Sequence, residues 1–206
     1  MARDPNKYIV DGYRYVSVTE VLQFSGWARY DKVDPVVLNR AAERGSLVHD
    51  ATELVDDGTF VEEDFREDLL DYIAGYRKFI DEHDYEVLHS EIVVFNHKYL
   101  YAGQLDRICM LDGKKTLLDI KTSATRKPEW GLQLAAYEMA YSSISAHEMS
   151  QGFVAYKPSI ERRVALRLGL GYYDIDNYQS VNDYERFLEA VKIVQDQRNA
   201  GIISLG

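Results

Sequence analysis

Asp106, Asp119 and Lys121 are the residues whose types and spacing could do chemistry together. They lie in the stretch from Ala102 to Lys121, which reads as two β-rich runs joined by Asp112-Gly113. Asp-Gly between apolar runs is a strong hairpin signal, because a two-residue type I′ turn needs positive φ at both positions. With that turn Leu111 faces Lys114, and paired residue numbers sum to a constant. By the same rule Asp106 falls opposite Asp119, with Cβ atoms about 4.5–5.5 Å apart on one face of the sheet. Strand alternation puts Lys121 on that face, one step along. Two carboxylates this close repel each other. A hard divalent cation between them turns the repulsion into a binding site, since Mg²⁺ takes one or two carboxylates and keeps its other positions for water and phosphate. The neighbouring ammonium then stabilises charge on a phosphate oxygen or holds an attacking water. The competing reading is an exposed sheet face with scattered charges, and a one-residue slip in register would produce it.

Gly103-x-x-Asp106 followed by Asp119-x-Lys121 after a hairpin resembles the core motif of the PD-(D/E)XK nuclease superfamily, and its RecB-type exonuclease branch in particular. Three further pieces stand in the order of that branch: the Ser17-Val18-Thr19-Glu20-Val21-Leu22 opening, Gly45-x-x-x-His49 and Gln133-x-x-x-Tyr137. The resemblance spans residues 17 to 157. It implies a restriction-endonuclease-like core and metal-dependent hydrolysis of DNA phosphodiesters. By this likeness His49, Asp106, Asp119 and the Ile120 carbonyl bind one or two Mg²⁺ or Mn²⁺ ions, and Lys121 positions or activates the water. Relatives with an acid on the preceding strand add Glu91 to the metal ligands. Gln133 and Tyr137 then touch the substrate backbone. The residues themselves, apart from the likeness, add Arg44 just before the histidine motif as a phosphate contact, and Thr122, Ser123 and Arg126 in the basic loop after Lys121 as groups placed to hold phosphates.

The residues give their own weights to these positions. His49 and Glu53 are four apart on one helix face, and imidazole is a good ligand for Mn²⁺; a lone helical histidine is otherwise structural. Glu91 amid apolar residues is either a ligand or a charge that protects an edge strand. Tyr137 competes with a core role in a chain of 16 tyrosines.

The elements that must position these groups follow from periodicity and punctuation. Residues 8 to 16 read as a short hairpin around Asp11-Gly12. Ser17 with Glu20 forms a capping box for the helix that follows. Asp34-Pro35 starts a second helix, whose helical run passes through His49 and stops at Asp57-Gly58. Residues 62 to 83 read as one long amphipathic helix. Strands are expected at 85 to 95, at 99 to 101 leading into Gly103, at 152 to 156 and at 164 to 168. Helices are expected at 129 to 141 and 183 to 199. The fold class is therefore α/β, a mixed central β-sheet flanked by helices. One domain over residues 1–206 comprises a helical N-terminal part (17–83), a catalytic sheet core (85–170) and a closing helix (183–199).

Composition narrows the function. A length of 206 residues with 46% hydrophobic and 28% charged residues suits one globular domain. No apolar run reaches the roughly 18 residues of a membrane span, and the first residues lack signal-peptide character, so the expected location is cytoplasmic. A single cysteine excludes an intrachain disulfide, and an iron–sulfur cluster built from this chain's cysteines alone. The net charge of −10 opposes non-specific nucleic-acid binding. However, Lys114, Lys115, Lys121, Arg126 and Lys127 make one basic stretch around the proposed site. There is no Walker-type loop. What the resemblance implies, and composition does not show, is a DNA exonuclease acting on single-stranded or free ends, with a recombination or repair protein as a possible partner. Two rivals remain: a structure-dependent endonuclease of the same superfamily, and an end-binding recombination or repair subunit with vestigial catalysis.

Overall fold

Turn chemistry sets the frame. Asp11, Gly12, Asp112 and Gly113 have φ of 51°, 76°, 51° and 73°, the left-handed backbone that a type I′ turn requires. The first pair joins β1 (Ile9–Val10) to β2 (Tyr13–Arg14). The second joins β5 (Tyr101–Leu111) to β6 (Lys114–Lys121). The computed structural model describes residues 8–143 and 159–204.

The remaining strands are β3 (Val16–Ser17), β4 (Tyr85–Asn96), β7 (Arg162–Leu168) and β8 (Tyr173–Asn177). A six-stranded sheet runs β3-β5-β6-β7-β8, with β4 along the other edge of β5. The β3–β5 and β6–β7 pairs are parallel and the others antiparallel, so the sheet is mixed, as expected.

Helices cover both faces. On one, α1 (Val18–Phe24), α4 (Glu129–Ser143) and α5 (Asn182–Asn199) bury Val21, Trp130, Leu134 and Phe187 against Tyr101, Leu105, Ile108 and Leu117. On the other, α2 (Pro35–Asp56) and α3 (Glu67–Glu82) bury Val48, Leu69, Tyr76 and Phe79 against Cys109, Leu111, Leu118 and Ile120. The helix starts are those the sequence encodes. Ser17 Oγ accepts the Glu20 N–H at 3.1 Å while Glu20 Oε2 accepts the Ser17 N–H at 2.8 Å. Asp34 Oδ1 accepts the Val36 N–H at 2.7 Å, one residue after Pro35.

The single helix expected over 62 to 83 is instead two pieces. A 3₁₀ turn (Glu62–Asp64) is followed by extended backbone at Phe65 and Arg66 before α3 begins. The break lets the Phe65 ring stack on Phe60 at 5.0 Å and pack on the second core. Tyr99 and Leu100 belong to the turn before β5, where Leu100 takes φ 56°, and only Tyr101 is strand. β8 was not anticipated, and the expected strand at 152 to 156 lies outside the described residues. Among the described residues no helix is long and apolar enough to cross a membrane.

Candidate active site

The β5–β6 ladder runs from Leu111↔Lys114 to Arg107↔Leu118 and stops there. Asp106 and Asp119 occupy the next step of that register, at the mouth of the separating strands. Both side chains are buried. Across the opening Asp106 Oδ2 accepts the Ile120 N–H at 2.6 Å. Lys121 follows Asp119 on the same side, and its Nζ lies 2.5 Å from Asp119 Oδ2.

Helix α2 brings His49 to this opening. Its Nε2 donates to the Ile120 carbonyl at 3.0 Å, and its Nδ1 lies 3.3 Å from Asp106 Oδ1. On the other side of β5 the β4 ladder pairs Ser90 with Arg107 and Ile92 with Leu105, skipping Glu91 and Asp106. Glu91 sits at that interruption with φ 51°, a backbone uncommon for a residue with a side chain. His49, Glu91 and Asp106 each offer a ligand atom within 4.8 Å of the others, the one such group of three among the described residues. Asp119 lies outside this trio, engaged with Lys121.

The charges are tightly set against each other. Burial alone would push the His49 pKa down, but Asp106 beside it and Asp119 behind lift it to about 9. Burial pushes Asp106 up, yet His49, Lys121 and the Ile120 N–H outweigh it and hold the carboxyl below its usual range. Burial, reinforced by Asp106, raises Asp119 to about 6 against the pull of Lys121. Burial and the same neighbour raise Glu91 to about 7. The His49 imidazolium thus stands between a carboxylate and a carbonyl, the place a cation would take. One nitrogen with carboxylate and carbonyl oxygens is a donor set that suits Mn²⁺ or Mg²⁺.

If this group takes a metal, its uptake should depend on pH. A metal-ligating imidazole must be neutral, so binding expels a proton wherever His49 is charged. With its pKa raised to about 9, Mn²⁺ affinity is expected to climb with pH up to about that value and then level. Calorimetry in two buffers of different ionisation enthalpy counts the released proton. A pH-independent affinity with no proton release would remove His49 from the donor set.

Helix α4 supplies the wall behind Lys121. Lys121 Nζ donates to Gln133 Oε1 at 2.9 Å, and Gln133 Nε2 donates to the Tyr137 hydroxyl at 3.0 Å. Tyr137 and Gln133 are both buried, and the Tyr137 ring fills the space beside Gly103. A Cβ on Gly103 would stand 2.5 Å from Tyr137 Cε1. Gly103-x-x-Asp and Gln-x-x-x-Tyr are therefore two halves of one packing solution. Gly103→Ala is expected to cost about 1–3 kcal/mol, as overpacking does, and to disturb Lys121 through Tyr137 and Gln133. Urea unfolding measures the first effect; a wild-type midpoint would refute it.

The other predicted contacts scatter around the opening. Arg44 is half-buried on α2 with its guanidinium 5.7 Å from the Tyr72 ring centre. Thr122 lies against Gly45. Ser123 Oγ donates to the Thr125 carbonyl at 3.2 Å. Arg126 donates to the Asn177 carbonyl at 2.9 Å and lies 4.4 Å from the Tyr178 ring centre. Sequence reasoning passed over Arg107, which is buried beside the site. Its signal was a charge inside the run Leu105 to Leu111, directly after Asp106.

A sequence model of the PD-(D/E)XK nuclease superfamily matches residues 26–201. No curated protein matches the sequence. A protein from Eubacterium rectale, named as a candidate exonuclease, has a similar solved structure. It aligns with a TM-score of 0.51 and 12% identity, over 98% of this chain and 85% of that one. The structure of SSO0001 aligns with a TM-score of 0.42 and 14% identity, over 93% of this chain and 79% of that one.

Proposed function

The chain belongs to the PD-(D/E)XK nuclease superfamily, and from this we propose that it is a metal-dependent DNA exonuclease acting at single-stranded ends. The observation that carries the reading is the convergence of His49, Glu91 and Asp106 donors next to the Asp119–Lys121 ion pair. His49, Glu91, Asp106, Asp119 and the Ile120 carbonyl would hold one or two Mg²⁺ or Mn²⁺ ions. When bound, the ion lowers the pKa of an attacking water and offsets charge on the phosphate. Lys121, steadied by Asp119 and Gln133, orients that water and stabilises negative charge on the phosphate. The water oxygen would bond to phosphorus as its proton passes to solvent, the bond to the 3′ oxygen would break and that oxygen take up a proton from solvent, so the products are a 5′-phosphate and a 3′-hydroxyl. The basic loop after Lys121, with Thr122, Ser123 and Arg126, and Arg44 on α2 would hold the strand's phosphates.

The deciding experiment digests end-labelled linear single-stranded DNA beside a circular form, with Mg²⁺, Mn²⁺ or EDTA. Metal-dependent release of nucleotides from the linear strand, with the circle intact, is the expected result. Cutting of the circle would make the enzyme an endonuclease. Binding of both without cutting in either metal would make it an end-binding subunit.

A further inference from the structure

We propose that Arg107 is the positioning residue for Glu91, holding its carboxylate in the donor group with His49 and Asp106. This rests on the metal-site reading above.

Arg107 follows Asp106 on β5, and its side chain is 0% exposed. It lies on the side of the sheet where α2 packs, with Leu118 of the second core as its cross-strand partner. Three bonds fix it there. Nε donates to Asp56 Oδ2 at 2.7 Å, at the end of α2. Nη1 donates to Glu91 Oε1 at 3.3 Å and to the Asp106 carbonyl at 2.9 Å. One rigid guanidinium therefore touches the helix that carries His49, the strand that carries Glu91 and the backbone of Asp106. Asp56 is itself anchored: the Tyr76 hydroxyl donates to its Oδ1 at 2.7 Å and lies 2.9 Å from the Tyr85 hydroxyl.

Packing alone does not call for this arrangement. A buried ion pair adds little net stability, and apolar side chains of similar volume often do as well or better. Here the cost is raised further, because Nη2 has no acceptor among the described residues. What the guanidinium does supply is direction. Glu91 takes a left-handed backbone, which persists only where its surroundings over-determine it. Gln104 Nε2 holds the Glu91 carbonyl at 3.2 Å, and Arg107 holds the carboxylate. Without Arg107 the carboxylate would be free to turn away from Asp106, whose negative charge repels it.

The test is a double-mutant cycle read by Mn²⁺ affinity, from the resonance of free Mn²⁺, with each protein's fold checked by urea unfolding in EDTA. Arg107→Lys keeps the charge but loses the fork that spans Asp56 and Glu91. It is expected to weaken Mn²⁺ binding about tenfold, the low end for groups that orient metal ligands. Glu91→Gln is expected to weaken it at least as much. In the Glu91→Gln background Arg107→Lys should then cost much less than in wild type, because its route through Glu91 is gone. Should Arg107→Lys not fold, Asp56→Asn replaces it in the same cycle, with a smaller loss in the same pattern. An equal loss in both backgrounds, or no loss in either, overturns the positioning role while leaving the site intact. Unchanged Mn²⁺ affinity in Asp106→Asn would overturn the site reading itself, and this inference with it.

Discussion

Lys121→Met is expected to lower the rate of strand cleavage by about 10²–10³-fold, the usual range for removing one donor that stabilises charge in the transition state. The protein should stay folded and still bind DNA. The side chain of Lys121 is only 18% exposed, and its ammonium is held at 2.5 Å by Asp119 and at 2.9 Å by Gln133. An ammonium has three donors, so two such acceptors leave one for water or phosphate. Methionine keeps the stem's packing beside the Trp130 ring, whose centre lies 5.7 Å from Nζ, and deletes only the charge and its donors. Lys121→Arg should recover part of the rate at most, since a planar fork does not reproduce a compact point charge. Single-turnover rates at saturating metal isolate this step. A methionine variant within a few-fold of wild type would remove Lys121 from the reaction.

The part of this site that could be read from the sequence is the part governed by short-range rules. The Asp112-Gly113 turn needs only two residues with positive φ, and it fixes the β5–β6 register that brings Asp106 and Asp119 to one level. Ser17 with Glu20, and Asp34 with Pro35, each specify a helix start within four residues. What stayed hidden depends on contacts between distant segments. The break at Phe65 exists because Phe60 offers its ring a partner. The left-handed backbone at Glu91 has no local signal, since glycine or asparagine would be the ordinary choice there. Arg107 looked like any strand charge. Its burial becomes intelligible only when Asp56, fifty-one positions earlier, and Glu91 are seen to close on it. Gln133 and Tyr137 fell on one helix face as read, but sequence could not show that their polar groups turn to Lys121 and to each other.

Asp119→Asn is expected to abolish cleavage and yet make the metal-free protein more stable at neutral pH. Burial and the nearby Asp106 charge raise the Asp119 carboxyl to about 6, above its ordinary value of about 3.9. A carboxyl with a raised folded pKa holds its proton longer in the folded chain than in the unfolded one. Stability is therefore lost as pH climbs from the ordinary value through about 6, and stays lost above it. Asparagine keeps the shape and cannot ionise, so it escapes that loss. In EDTA the urea midpoints of the two proteins should nearly coincide at about pH 4 and separate in the variant's favour above about pH 7. Added Mn²⁺ should reverse the order, because a ligand that binds only the folded state stabilises the protein able to hold it. This is the signature of a site kept under electrostatic tension for its cation, stability given up where function needs it. A variant less stable than wild type in EDTA at pH 8 would mean that the Lys121 ion pair outweighs burial. The acids would then serve the fold before they serve a metal.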